Sequence, residues 1–348
     1  MNKINILVTG SGGGGIGEQV IKCLRLANLN FHVVATDVTQ ISKGKIDADE
    51  FIIAPLANSD SYISFILNLC ISKNIKAIIP GSEIELKLFS KNRNVFSENN
   101  IALLINSKNV INICLDKNLT SQFLNENNFI SPLSFAISNP LQLENINIFP
   151  LVLKPSIGGG GSVNTLIVQN KEELKVFGQF LLNQYEEFIA QEYVGDANSE
   201  YTVGILSTKE GVIVDSIVLR RNILSGLGSK IKIMNTSKKT ELGKYLAISS
   251  GISQGEIVKN DIISKVCEQI ASKLNSTGPL NIQLRLVGDK VYIFEINPRF
   301  SGTSPMRALA GFNEVEISIR NNILGEQKFE RIDYKLGHVV RGLNEFFV

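Results

Sequence analysis

Apolar positions recur along this chain with two different periods. Residues 4–8 form a short apolar run, and Val20, Cys23, Leu24 and Ala27 then fall on one helical face. Residues 33–36 are a second run, ending at Asp37. Tyr62, Phe65, Ile66, Leu69 and Cys70 make another helical stripe, and residues 77–79 and 102–105 are further short runs. Strand alternating with helix predicts a parallel sheet covered on both faces.

The pattern changes in the middle of the chain. Residues 151–154, 164–168, 188–192, 201–206 and 212–220 read as strands separated by turn-rich connections at 157–162 and 195–199. That order predicts antiparallel sheet with interspersed helices, an α+β arrangement. Ile263, Val266, Cys267, Ile270 and Leu274 mark a helix face. Residues 280–287 and 291–296 flank Gly288 and Asp289, a pair suited to a tight hairpin.

Length and composition narrow the function classes. The 348 residues exceed one typical core and suggest two or three compact units. A formal net charge of +2 gives no field that would favour nucleic acid. No apolar run approaches the roughly 20 residues of a membrane helix, and the N-terminus lacks a signal-like apolar region, so a cytoplasmic protein is expected. Cys23, Cys70, Cys114 and Cys267 form no CxxC pair and lie in or beside apolar stretches, as inert reduced thiols do. His32 and His338 are far apart, which argues against a His-based zinc site or a Ser-His-Asp triad.

Three segments carry candidate chemistry. VTGSGGGGIG (8–17) follows a strand and opens a helix, with Asp37 about twenty residues on. It reads either as a dinucleotide fingerprint or as a turn that needs small residues. LVLKPSIGGGGS (151–162) delivers Lys154 to a glycine run. It is no Walker loop, and it suits a flap whose amides wrap phosphate as well as it suits a plain turn. GPLNIQ (278–283) precedes FEINPR (294–299). Alternation puts Asn281 and Gln283 on one strand face and Glu295 and Asn297 on one face of the other. Paired as a hairpin, Gln283, Glu295 and Asn297 converge as oxygen ligands for Mg²⁺ or Mn²⁺, with Arg299 close by; the alternative is an exposed polar hairpin.

At these residues the chain resembles the ATP-grasp superfamily, most nearly the synthetase halves of the carbamoyl-phosphate synthase large subunit and related single-domain ligases. KPSIGGGGS resembles the family's phosphate flap and EINPR its most specific signature, and the likeness spans roughly residues 1–325. It implies a Rossmann-like pre-ATP-grasp domain over 1–112, usually without a dinucleotide. A two-subdomain ATP-grasp fold would follow, with a small subdomain over 113–187 bearing the flap and a large one over 188–348 bearing the metal site.

By position, the resemblance makes Lys117 and Lys154 basic phosphate ligands, with Gly158, Gly159, Gly160, Gly161 and Ser162 as flap. It makes Glu192, Tyr193 and Val194 the adenine hinge and Glu200 the ribose acid. Gln283, Glu295 and Asn297 become metal ligands, Gln283 and Glu295 also facing the nucleotide. Arg299 would neutralise the phosphoryl group in transit. The implied activity joins a carboxylate to an amine or ammonia through an acyl phosphate, using ATP and Mg²⁺ or Mn²⁺. The implied partners are small molecules, with neither nucleic acid nor membrane, and a homodimer is compatible with this.

Two departures qualify the likeness. There is one synthetase unit, and Gly302 stands where the carbamoyl-phosphate synthases usually carry a second arginine. Arg220, Arg221 and Arg307 are candidates to grip an anionic substrate. Three rival readings remain open here: a nucleotide-binding module without turnover, a kinase-like phosphotransferase, and a dinucleotide enzyme using residues 10–17.

Overall fold

A computed structural model describes residues 3–158, 163–342 and 344–346. The flap candidates Gly159, Gly160, Gly161 and Ser162 lie outside the described residues.

The first third is a doubly wound unit. Strands β1 (Ile4–Val8), β2 (Phe31–Asp37), β3 (Glu50–Ile53), β4 (Ala77–Ile79) and β5 (Ala102–Leu103) form a parallel sheet in the order β3-β2-β1-β4-β5. Helices α1 (Ile16–Arg25), α2 (Gly44–Asp47), α3 (Tyr62–Ser72), α4 (Glu83–Lys91) and α5 (Arg93–Ser97) connect the strands. The expected run at 102–105 stops at Leu103. Ala27 lies just beyond α1. The short edge strand β3 begins with a glutamate and gave no apolar-run signal.

Helices α6 (Lys108–Leu115) and α7 (Lys117–Glu126) lead to a four-stranded antiparallel sheet. Its strands are β6 (Ser134–Ile137), β7 (Leu151–Pro155), β8 (Leu166–Val168) and β9 (Phe188–Glu192), ordered β6-β9-β7-β8 and backed by helix α8 (Lys171–Leu182). Asn164 has a left-handed φ of 51°, so the strand expected from 164 begins at Leu166. Because β9 pairs with both β6 and β7, this sheet runs past the expected boundary at 187 to Glu192.

The last unit is a six-stranded antiparallel sheet. It comprises β10 (Glu200–Ser207), β11 (Ile213–Arg221), β14 (Gly255–Val258), β15 (Pro279–Val287), β16 (Lys290–Asn297) and β17 (Gly337–Val339), ordered β16-β15-β10-β11-β14-β17. A separate ribbon pairs β12 (Ser229–Met234) with β13 (Tyr245–Ser249). Helix α9 (Asp261–Leu274) seals one sheet face with Ile263, Cys267, Ile270 and Leu274. Asn260 caps its start by accepting from the Ile263 amide.

Helices α10 (Ser304–Ala310) and α11 (Glu314–Leu324) turn back onto α1. Phe300, Val315 and Ile319 join the core of the first sheet, and Asn313 donates to the Cys23 carbonyl. The first and last units therefore share a core. All four cysteines are buried, and burial pushes the Cys70 thiol up to about 12, as expected of inert thiols. No helix among the described residues is long and apolar enough to cross a membrane.

Candidate active site

The β15–β16 hairpin closes as its alternation predicts. Gly288 takes a φ of 59° at the turn, and Val287 pairs with Lys290. The register sets Gln283 opposite Glu295 and Asn281 opposite Asn297. A bulge between Gln283 and Leu284 leaves Phe294 without an opposite residue. Its carbonyl accepts from Lys154 Nζ at 3.2 Å, so the irregularity points a backbone acceptor into the site.

Lys154 sits near the end of β7, 7% exposed. Its ammonium also donates to Gln191 Oε1 at 2.9 Å. Burial pushes its pKa down to about 8, with Glu295 opposing and Lys117 reinforcing the shift. Lys117 opens α7, where Asp116 caps the helix through the Asn118 and Leu119 amides. Its Nζ donates to the Gly158 carbonyl at 3.3 Å, and its backbone amide donates to Ser156. Both lysines thus stand at the root of the glycine run.

The wall opposite is the segment leaving β9. The Tyr193 hydroxyl both accepts from the Ala247 amide and donates to its carbonyl, which locks the hinge to β13. The Glu192 carboxylate is held by Lys239 at 2.8 Å, and the Val194 carbonyl accepts from Arg285 at 3.1 Å. Glu200 is 2% exposed. Its Oε2 pairs with Arg285 at 3.2 Å, Arg221 lies 3.8 Å from Oε1, and Oε1 has no hydrogen-bond partner among the described residues. Glu200 is therefore a buried carboxylate aimed into the site, not a solvated surface charge.

These groups line one cleft between the two antiparallel sheets. Lys117, Lys154, Glu192, Tyr193, Val194, Glu200, Gln283 and Glu295 all border it, with Val152, Ala247 and Phe294 as apolar surface. A second, smaller space lies beyond Glu295, bordered by Lys117, Asn297 and Glu83 of α4. Arg285 also borders the cleft and is absent from the sequence-derived candidates. Its signal was there: a charged residue two positions past Gln283, on the strand face that Asn281 and Gln283 already mark as polar.

The expected metal ligands come together with one qualification. Gln283 Oε1 accepts from Arg221 at 3.0 Å while its Nε2 donates to Glu295 at 2.8 Å. Its oxygen is committed to Arg221, and turning the amide over would set N–H against N–H. Asn297 Oδ1 likewise accepts from Arg299, so each amide oxygen has one lone pair left for a metal, and the Glu295 carboxylate is the donor without an arginine partner among the described residues. No cluster of three His, Cys, Asp or Glu side chains that could hold a metal is found among the described residues. One carboxylate plus amide oxygen suits Mg²⁺ when nucleotide phosphates complete the shell. Arg299 donates to Asn297 at 3.1 Å and to the Phe300 carbonyl at 3.0 Å, and burial lowers its pKa. Arg299 Nε and Asn297 Nδ2 are both buried without a partner among the described residues.

The substrate-arginine candidates separate. Arg307 is fully buried, wedged under Gly204 and paired with Glu314 at 3.1 Å, so it holds the core together. Arg220 is exposed and donates to the Asn198 carbonyl. Arg221 alone of the three contacts residues that line the cleft, Gln283 and Glu200, from behind.

The N-terminal glycine turn is packed shut. A Cβ at Gly17 would lie 2.4 Å from the Gly10 carbonyl oxygen, and one at Gly81 would lie 2.2 Å from that of Thr9. The Gly14 amide donates to Glu18 at 2.5 Å, and Lys22 holds the same carboxylate at 2.6 Å. The chain's own carboxylate thus occupies the anion position at the start of α1.

Two antiparallel sheets gripping a cleft with basic residues on one side and the Glu-Ile-Asn-Pro-Arg hairpin on the other, behind a doubly wound unit, define the ATP-grasp fold. The chain shares the ATP-grasp fold, and its residues 247–346 match an ATP-grasp family model. Residues 6–104 match the model of the PylC-like N-terminal domain, and residues 247–346 match that of ATP-grasp in the biosynthetic pathway with Ter operon. Among curated proteins it is 24% identical over 324 residues to the carbamoyl phosphate synthase large chain of Thermoplasma volcanium, covering 88% of this chain and 29% of that protein. The Clostridium perfringens large chain is also 24% identical, with 95% of this chain and 30% of that protein covered. The chain thus spans less than a third of the length of these relatives. Among solved structures it is similar to N5-carboxyaminoimidazole synthetase from Staphylococcus aureus complexed with ADP (TM-score 0.67, 15% identity, 96% of this chain and 81% of that one). The biotin carboxylase domain of Hydrogenobacter thermophilus 2-oxoglutarate carboxylase, complexed with MgADP and bicarbonate, gives a TM-score of 0.66 at 16% identity, covering 96% and 72%.

Proposed function

We propose that this protein is an ATP-dependent ligase that joins a carboxylate to an amine or ammonia through an acyl phosphate. The observation that carries the proposal is that Lys154 and Glu295, from two sheets, face one cleft, with Asn297 on the smaller space adjoining it and Arg299 bonded to Asn297. In this reading the nucleotide base lies against the segment from Glu192 to Val194, and Glu200 Oε1 accepts from the ribose. Lys117, Lys154 and the run from Gly158 to Ser162 hold the phosphates. Glu295 and Asn297 hold Mg²⁺ or Mn²⁺, with Gln283 positioning Glu295. The ion, when bound, offsets charge on the transferring phosphoryl group.

The chemistry follows from the charge distribution. Cationic groups placed before reaction lower the cost of charge on the γ-phosphate as a substrate carboxylate oxygen attacks it. ADP leaves with the bond it held, giving an acyl phosphate. An amine then adds to the acyl carbon and phosphate departs with the former carboxylate oxygen. We further propose the division into an N-terminal unit, a small sheet ending at Glu192, and a large sheet.

The test starts from a panel of carboxylic acids and amines screened by ADP release. With the responding acid labelled by ¹⁸O in both carboxylate oxygens, one label should leave in the released phosphate. Hydroxylamine should intercept the intermediate as a hydroxamate when the amine is withheld. Turnover with unlabelled phosphate would contradict the mechanism.

A further inference from the structure

Position 302 has no room for a side chain. A Cβ there would lie 2.6 Å from the Gly251 carbonyl oxygen, so an arginine could not be carried at this point of the chain. A guanidinium stands beside it nonetheless. Arg341 Nη2 donates to the Gly302 carbonyl itself and to Gln19 Oε1 at 2.9 Å.

The placement is built by the fold. Strand β17 adds to β14 with Val339 opposite Gly255. The Arg341 amide then donates to Gln254 Oε1 at 3.2 Å, which fixes the residue beside the 250–254 loop. Arg221 is anchored in the same loop, through Ser253 Oγ at 2.7 Å and the Ser250 carbonyl. Arg299 donates to Phe300, whose carbonyl is within about 7 Å of that of Gly302 along the chain.

Arg341 differs from four of the structural arginines in lacking a counter-ion. Arg307, Arg285, Arg331 and Arg320 each pair with a carboxylate. Among the described residues Arg341 makes no such pair, and its Nη1 is buried without a partner. The nearby Glu18 is committed to Lys22 and the Gly14 amide. Burial lowers the Arg341 pKa, as for a charge not fully compensated. Arg341 is half-buried, and a guanidinium whose Nη1 is shut off from water without an anion is costly unless a ligand supplies one.

We propose that Arg341, backed by Arg221, binds a second carboxylate of the substrate whose first carboxylate is activated beside Arg299. The substrate is then a dicarboxylic acid or an acid bearing an equivalent anion. This rests on the ligase reading above and adds the substrate class. Reaching the site from the far end of the chain, Arg341 stands where Gly302 has no side chain.

The experiment is thermal-shift titration of the protein with MgADP. Succinate, glutarate and adipate are compared with butyrate, valerate and hexanoate at matched ionic strength. At one chain length or more the diacid should bind at least about tenfold more tightly than the monoacid. Arg341→Ala should weaken that diacid at least about tenfold and leave the MgADP shift unchanged, and Arg341→Lys should recover part of it. Arg341→Gln, which can still bond Gly302, separates loss of charge from loss of fold through its melting temperature without ligand. Equal binding of diacid and monoacid at every length, or an unchanged diacid midpoint in a folded Arg341→Ala, overturns the proposal. Failure of MgADP to shift wild-type protein indicts the nucleotide reading instead, and the diacid arm is then read without nucleotide.

Discussion

The N-terminal turn at 10–17 and the cleft around Lys154 and Glu295 both announce themselves through glycine and charge, yet they differ in how their polar groups are spent. At the turn, the Ser11, Gly14 and Gly15 amides donate to Thr36, Glu18 and Gly12, and the buried groups left without a partner there are two neutral hydroxyls, of Thr9 and Thr36. Gly17 is required there by contact with the Gly10 and Thr9 backbone, whereas Gly14 has open space and a φ of 76°. At the cleft and the hairpin end beside it, Glu200 Oε1, Asn297 Nδ2 and Arg299 Nε are buried and unpaired among the described residues. Buried polar groups are normally satisfied, so a cluster of orphans marks where a ligand belongs. The lesson is that a glycine run identifies a close approach, and only the state of the surrounding donors tells whether the approaching group is the chain itself.

The sharpest way to break this contrast is Glu295→Gln. It removes the carboxylate on which the cleft depends, and turnover measured by ADP release should fall at least about a thousandfold while the melting temperature stays near wild type. Gly17→Ala should do the reverse. Its Cβ meets the Gly10 carbonyl oxygen, so denaturant unfolding should show a loss of about 1–3 kcal/mol with MgADP affinity per folded molecule unchanged.

A smaller effect comes from pH. Lys154 loses its proton near pH 8 in the free protein and must regain it to meet phosphate. Below that pH the lysine is already charged. Above it, MgADP affinity should fall by up to about tenfold per unit, with proton uptake on binding seen by calorimetry in two buffers. In Lys154→Met this slope should vanish. The smallest effect is expected at Gly158, which has a φ of 77° and nothing within 4 Å of where an added methyl would sit. There Gly158→Ala should cost about 1 kcal/mol or less in stability, from backbone strain alone.

Much of the site was legible because alternation is a local rule. Once β15 and β16 pair across two turn residues, Gln283 must face Glu295, and the Asn297 and Arg299 positions follow. What escaped depends on long-range placement. The commitment of the Gln283 oxygen to Arg221 joins residues 62 apart in sequence. Arg341 meets Gln19 from 322 residues away. Arg307 had the composition of a substrate ligand, but packing under Gly204 makes it a core ion pair. Edge strands β3 and β17 are too short to show a period, and their pairing comes from neighbours rather than from their own residues.

The central claim is that nucleotide binds at the Lys154–Glu295 cleft and not at the N-terminal turn, and calorimetric titration decides it most directly. Wild-type protein and Gly12→Val should bind MgADP alike, and Lys154→Met should bind it at least about tenfold more weakly, with no saturable binding of NADH below millimolar concentration in any of them. Tight NADH binding that Gly12→Val abolishes, with MgADP binding indifferent to Lys154, would contradict the account.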